Sequence, residues 1–337
     1  MKTDPPTRAG ESGRIDSPLV IALNLEWGDL ALEQAALAPL GVDLIRLEDL
    51  QESQRPRVVA LLSEGARVTA EDLQRYPQLK VVSEFGTGYD GIDLETARRL
   101  GIAVANVAGY CTEEVADHTL AVGLSLLRRL DPLRQQALDG DWIQVHTGPV
   151  RRCADLTWCV IGFGRIGRAV ARRARAFGFS VRAFDPHLAA EEISRQGARP
   201  TQLDELLTEA DVVSIHALRT GNDDKMLDRR RLSLLKRSAY VVNVARGAFI
   251  DEDALADALD AGKLAGAALD VLTDEPPGPS NRLLRHPRTL VTPHIAWYSD
   301  RAVSELRSRG IRAVVDVLSG RRPADLVPET DNEAVNG

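Results

Sequence analysis

From residue 155 onward, short apolar runs alternate with segments of helical periodicity. TWCVI (157–161) precedes an Arg- and Ala-rich helical pattern over 165–177, and SVRAF (180–184) follows it. A helix near 202–208 leads to VVSIH (212–216), and a polar helix near 229–236 leads to AYVVNV (239–244). A helix over 251–260 precedes AGAALDVL (265–272), and RTLVTP (288–293) closes the series. Runs this apolar on both faces predict parallel strands covered on two sides. Their alternation with helices predicts a doubly wound α/β domain.

Residues 18–108 repeat the pattern less strictly. PLVIALN (18–24), VDLIRL (42–47), RVVALLS (57–63), LKVVSEF (79–85) and IAVANV (102–107) are strand candidates with helices between them. A single long helix is predicted over 112–138, with acidic residues at its start that suit the helix dipole. A last helix, 300–318, is predicted to return to the first domain. We therefore expect a smaller, discontinuous α/β domain, 18–108 and 300–325, and a larger one, 109–299. The Pro-, Gly- and charge-rich ends, 1–17 and 326–337, are expected to be loose tails.

Composition narrows the function classes. A length of 337 residues and 44% hydrophobic content fit a globular protein with two cores. The formal net charge of −7 argues against an extended nucleic-acid surface, and the arginine clusters RRARAF and DRRRLSLLKR sit among acids at helical spacing. Cys111, Cys153 and Cys159 are too few for a disulfide framework and fit a reducing, cytoplasmic setting. No Cys/His cluster has metal-ligand spacing, so no metal is expected. The first residues lack an apolar signal-peptide core, and no apolar run is long enough for a membrane span.

The clearest chemical motif is CVIGFGRIGRAV. Gly162, Gly164 and Gly167 form G-x-G-x-x-G directly after a strand and at the opening of a helix. Such glycines permit a tight turn, close approach of the backbone to a pyrophosphate, and close packing of helix on strand. The helix N-terminus then offers free N–H groups to the phosphates. Asp185 ends the next strand, 18 residues after Gly167. A carboxylate there suits the ribose hydroxyls of NAD and would repel a 2′-phosphate. Ligands in such sheets bind beyond the carboxyl ends of the strands. At those ends stand Arg246, Asp270, Glu275 and His294. Individually, Arg246 could be a surface residue, Glu275 a turn residue before Pro276, and His294 a strand cap. Together they suit hydride chemistry at a carbon bearing oxygen. A histidine moves the proton near neutral pH, a carboxylate fixes its tautomer, and arginine's planar fork holds a carboxylate and carbonyl.

Over about 18–325 the chain resembles the D-2-hydroxyacid dehydrogenase family, which includes 3-phosphoglycerate dehydrogenases and the C-terminal-binding protein corepressors. The resemblance rests on FGTGYDGID (85–93), EEVADHTL (113–120), GFGRIGRAVARRARAFG (162–178), VVNVARGAFIDEDAL (241–255), LAGAALDVLTDEPP (264–277) and TPHIAWYSD (292–300). It implies a Rossmann nucleotide-binding domain and a flavodoxin-like substrate domain. It implies His294 as acid/base, Glu275 as its partner and Arg246 as a substrate ligand. Arg165 and Ile166 would cover the pyrophosphate, and His216, Val244 and Ala245 would lie along the cofactor. Asp270 would hold the nicotinamide carboxamide. The GTG turn, with Thr87 and Gly88, would offer N–H groups to a substrate carboxylate, and Trp297 would wall the substrate pocket, or else be a core aromatic opening the last helix. The family usually dimerises through its nucleotide domain, so a homodimer is expected.

AWYS after the histidine is similar to the corepressor branch. Two departures stand out. HALRT (216–220) replaces a Pro-Leu pair common among relatives, and Glu84 stands where relatives of this branch usually carry arginine. Placed at a pocket mouth, Glu84 would disfavour a second anionic group on the substrate; otherwise it turns outward or pairs with an arginine. The resemblance implies an NAD-dependent dehydrogenase of a D-2-hydroxy acid. The alternative is an NAD(H)-sensing, corepressor-like binding protein. Formate dehydrogenase is disfavoured, because that branch is expected to pair its histidine with glutamine rather than Glu275.

Overall fold

The computed structural model describes residues 17–25, 27–142, 150–219 and 225–330. The expected tails lie outside these residues, apart from Ser17 and 326–330. The chain divides into two compact units, Met1–Tyr110 with Val303–Gly337, and Cys111–Ala302.

The first unit is built on five parallel strands: β1 (Leu19–Ala22), β2 (Asp43–Arg46), β3 (Val58–Ser63), β4 (Val81–Glu84) and β5 (Ala103–Ala105). Their order is β2-β1-β3-β4-β5, the flavodoxin-like arrangement. Every residue of β1, β3 and β4 is buried, as expected of central strands covered on both faces. Edge strand β2 buries only Leu44. Helices α1 (Ala31–Leu37), α2 (Ala70–Gln74) and α3 (Leu94–Leu100) connect these strands. The returning segment is tied in by polar contacts. Ser83 Oγ donates to the Gly310 carbonyl at 2.9 Å, and Arg307 grips the buried Glu33 through two bonds of 2.8 and 2.7 Å.

The second unit begins with α4 (Thr112–Arg128) and α5 (Leu130–Leu138). The single helix expected over 112–138 is thus two. Arg129 takes φ +55°, and Pro132 has no N–H to give the Arg128 carbonyl while its ring would crowd that carbonyl in a continuous helix. Seven parallel strands follow: β6 (Thr157–Ile161), β7 (Ser180–Phe184), β8 (Arg199–Pro200), β9 (Val212–Ile215), β10 (Tyr240–Asn243), β11 (Gly266–Leu269) and β12 (Thr289–Val291). Helices α6 (Arg165–Ala176), α7 (Ala190–Arg195), α8 (Leu203–Glu209), α9 (Arg229–Leu232) and α10 (Glu252–Asp260) lie between them, and α11 (Asp300–Leu318) comes last.

The strand order β12-β11-β10-β9-β6-β7-β8 reverses direction between β6 and β9. That is the switch point where doubly wound sheets leave a crevice. Period-two alternation divides the strands between two cores. Cys159, Ile161, Val213, Ile215 and Val241 face one, and Trp158, Val160, Val212 and Val242 the other. The polar helix expected over 229–236 is only four residues long, closed at its start by Asp228, whose side chain accepts from the Arg231 amide at 2.7 Å. Among the described residues, no helix is long and apolar enough to cross a membrane, and no His/Cys/Asp/Glu group could hold a metal ion.

Candidate active site

The glycine motif lies at the switch point. Gly162 follows β6 with φ +84°, and a Cβ there would sit 2.5 Å from the Ala217 nitrogen on the chain leaving β9. Only glycine tolerates both that conformation and that approach. A Cβ on Gly164 would meet nothing within 4 Å, so the surface in front of the loop is open. Gly164 stands at the N-cap of α6 and makes no side-chain cap, which leaves the first helical N–H groups, those of Arg165, Ile166 and Gly167, for an anion. Asp185, just beyond β7, accepts from the Phe163 amide at 2.8 Å and the His187 amide at 2.9 Å. Its carboxylate is thereby fixed against the glycine loop. The donor set, the open face and the placed carboxylate fit a dinucleotide.

Farther along the same edge, Asn243 ends β10 and organises the next turn. Its Nδ2 donates to the Arg246 carbonyl at 2.8 Å, and its Oδ1 accepts from the Ala245 amide at 3.1 Å. Arg246 Nη1 donates to the Ala245 carbonyl at 2.8 Å. Val244 and Ala245 are half-buried here. Gly247 lies against the Leu272 peptide so closely that any Cβ would overlap it. This draws the Arg246 turn onto the loop of Glu275, whose Oε1 accepts from the Leu272 amide at 2.8 Å.

His294 Nδ1 and Glu275 Oε2 are 2.6 Å apart. Burial pushes the Glu275 carboxyl up. The hydrogen bond and charge of His294, the Leu272 amide and the Arg246 guanidinium outweigh that and hold it below the ordinary carboxylate range. An ionised Glu275 accepts the hydrogen bond of Nδ1–H, which leaves Nε2 as the exchanging nitrogen. The imidazole is about half exposed.

The histidine is held in an uncommon backbone conformation. Its φ is +51°, a region costly for a residue with a Cβ. Asp270 explains how this persists. Its buried carboxylate accepts from Thr292 Oγ1 at 2.5 Å, from the Ile295 amide at 3.0 Å and from the Ala296 amide at 2.9 Å. The Asp270 carbonyl takes the His294 amide at 2.8 Å. From α4, His118 Nε2 lies 3.2 Å from Thr292 Oγ1, and Glu114 accepts from Ser299 Oγ at 2.7 Å. Motif reading did not mark His118, Thr292, Glu114 or Ser299 as site residues; the sequence signal was their presence inside the two quoted segments EEVADHTL and TPHIAWYSD. These bonds hold the His294 backbone, and Glu275 holds its ring. Trp297 packs edge-on against Tyr298, ring centres 5.7 Å apart.

Thr87 and Gly88 belong to the first unit, in the turn after β4. The Thr87 carbonyl accepts from Asn106 Nδ2 at 2.7 Å, and the Gly86 carbonyl accepts from the Val107 amide at 2.8 Å. Glu84 ends β4 and does not turn outward. It is 3% exposed, with Oε2 accepting from Ser63 Oγ at 2.6 Å and Oε1 from the Gly65 amide at 2.7 Å.

Comparison with known proteins identifies the family. Residues 120–296 match the family described as D-isomer specific 2-hydroxyacid dehydrogenase, NAD binding domain. A D-3-phosphoglycerate dehydrogenase of Archaeoglobus fulgidus is 35% identical over 251 residues, 74% of this chain and 47% of the relative. The chain thus spans about half the length of that curated relative. A D-lactate dehydrogenase from Aquifex aeolicus, solved with NAD and lactic acid, superposes with a TM-score of 0.83 at 31% identity, covering 89% of this chain and 96% of that one. A glyoxylate reductase from Paecilomyes thermophila gives a TM-score of 0.83 at 27% identity, with 94% and 99% covered. The chain belongs to the D-isomer-specific 2-hydroxyacid dehydrogenase family, and its cofactor is NAD.

Proposed function

We propose that the protein is an NAD-dependent dehydrogenase that interconverts a D-2-hydroxy acid and its 2-oxo acid. The observation that carries this reading is the 2.6 Å pair of His294 and Glu275 on the sheet edge that also holds the glycine loop. When bound, NADH supplies a hydride. The chain's own residues do the rest. His294 Nε2 donates a proton to the substrate's carbonyl oxygen during reduction and takes it back during oxidation. Glu275 keeps the other ring nitrogen protonated and stabilises the imidazolium. Arg246 binds the substrate's carboxylate and carbonyl, with Trp297 as a wall. Arg165 and Ile166 cover the pyrophosphate, His216, Val244 and Ala245 flank the dinucleotide, and Asp270 serves the carboxamide.

Asp185 supports NAD over NADP, because a carboxylate anchored by the Phe163 and His187 amides would repel a 2′-phosphate. A homodimer through the second unit is supported by Leu130, Leu138 and Trp142, large apolar side chains exposed in and just beyond α5. The test is a panel of 2-oxo acids of differing size and charge, followed by loss of NADH absorbance. Turnover of at least one acid supports the reading. No turnover across the panel, with NADH bound, would favour a nucleotide-sensing protein instead.

A further inference from the structure

Three side chains form a polar line from inside the second unit's core to the switch point. Trp158 on β6 and Ser214 on β9 are fully buried. Trp158 Nε1 donates to Ser214 Oγ at 2.9 Å, and Ser214 Oγ lies 2.9 Å from His216 Nε2. The indole fits because α4 carries glycine at 123, where a Cβ would stand 2.5 Å from the indole ring. His216 itself leaves β9 beside Gly162, whose missing Cβ would meet the His216 carbonyl carbon at 2.7 Å.

Hydrogen placement follows from donor and acceptor capacity. An indole nitrogen only donates, so Trp158 occupies a lone pair of Ser214. The Ser214 hydrogen then needs an acceptor, and among the described residues His216 Nε2 is the one within reach. Nε2 is therefore an acceptor, and the imidazole proton resides on Nδ1. That nitrogen is buried and has no partner among the described residues. Burial also pushes the His216 imidazole down to about 3, so it stays neutral. A buried, fixed N–H without an acceptor is costly, and this one lies at the crevice where a dinucleotide binds in this fold.

We propose that His216 is a hydrogen-bond donor of fixed tautomer, with Trp158 and Ser214 acting as positioning residues that hold its proton on Nδ1 for an oxygen of the bound dinucleotide's ribose–phosphate backbone. This rests on the NAD reading above and assigns Trp158 and Ser214 a role that neither plays by contact with the cofactor.

The test uses the full chain labelled with 15N-histidine. Only six histidines need resolving, and the His216 signals are assigned by their loss in His216→Asn. Long-range 1H–15N spectra without ligand read the tautomer, and calorimetry reads NADH affinity. The wild type is expected to show protonated Nδ1. Ser214→Ala should give a mixture of tautomers and bind NADH about tenfold more weakly. His216→Asn, whose amide nitrogen stands in for Nδ1, should bind within about threefold of wild type, whereas His216→Gln, whose nitrogen stands in for Nε2, should lose about tenfold. A protonated Nε2 in the wild type, wild-type affinity in a Ser214→Ala protein with mixed tautomers, or equal binding by the Asn and Gln variants would overturn the proposal while leaving the NAD reading intact. A wild type with no affinity for NADH would overturn that reading and this role with it.

Discussion

Replacing Asp270 by asparagine probes the support of the acid/base directly. The carboxylate takes three hydrogen bonds from the segment that carries His294. Asparagine matches its shape but can accept at only one of the two positions. With its oxygen towards Thr292 and Ile295, its NH2 group faces the Ala296 N–H. One charge-assisted bond is lost and two donors oppose each other, costing about 1.5–3 kcal/mol. At roughly 2–4 °C per kcal/mol for a unit of this size, the thermal transition should fall by about 6 °C. Release of the clamp also lets His294 relax from φ +51°, and a displacement of about 1 Å at a reacting group costs on the order of 10² in rate. Calorimetry and steady-state kinetics check both effects. Added to His294→Ala and read at saturating NADH, where any loss of carboxamide binding by Asp270 is offset, the Asp270→Asn change should lower kcat little further, since in positioning the proton donor the two residues act as a unit. An unchanged transition and kcat, or a full additional loss in the double variant, would refute this account of Asp270.

Asp185→Ser should relax the preference for NADH over NADPH, read as the ratio of kcat/KM for the two; a wild type that prefers NADPH would contradict the role of Asp185. Glu84→Gln should move relative kcat/KM towards dianionic 2-oxo acids if Glu84 reads the substrate, and an unchanged ranking would make it a structural acceptor for Ser63 and Gly65. Glutamine is the informative replacement, because arginine would be forced into a site that is 3% exposed. Leu138→Glu combined with Trp142→Glu should convert a dimer to monomer in light scattering after size exclusion; a dimer unaffected by both would place the interface elsewhere.

Much of the fold was legible because its strands are covered on both faces. Runs such as TWCVI and AYVVNV have no polar alternation, so the pattern alone indicated a parallel, helix-covered sheet. The glycine motif was equally legible, since φ +84° and the approach of Ala217 leave no other residue possible at Gly162. What escaped were features set by few buried residues. Helix α7 buries only Ile193 and β8 is two residues long, so neither left a periodic trace. The break at Arg129 hung on one proline within an otherwise helical pattern. Arg246, Glu275 and His294 were legible as strand-end residues. The Asp270–Thr292–His118 support was not, because partners 174 residues apart in sequence meet only through the fold. Glu84 was visible as a departure, but its burial depends on Ser63 and Gly65 arriving from β3.

The central claim is that His294 moves the proton at the substrate's oxygen. Its most direct test is the single-turnover rate of 2-oxo acid reduction by the His294→Ala protein with NADH already bound, with the configuration of the wild-type product determined alongside. The expected result is a rate lower by roughly 10²–10⁴, NADH affinity close to wild type, and a D-configured 2-hydroxy acid from the wild type. A rate near that of the wild type, or an L-configured product, would contradict the account.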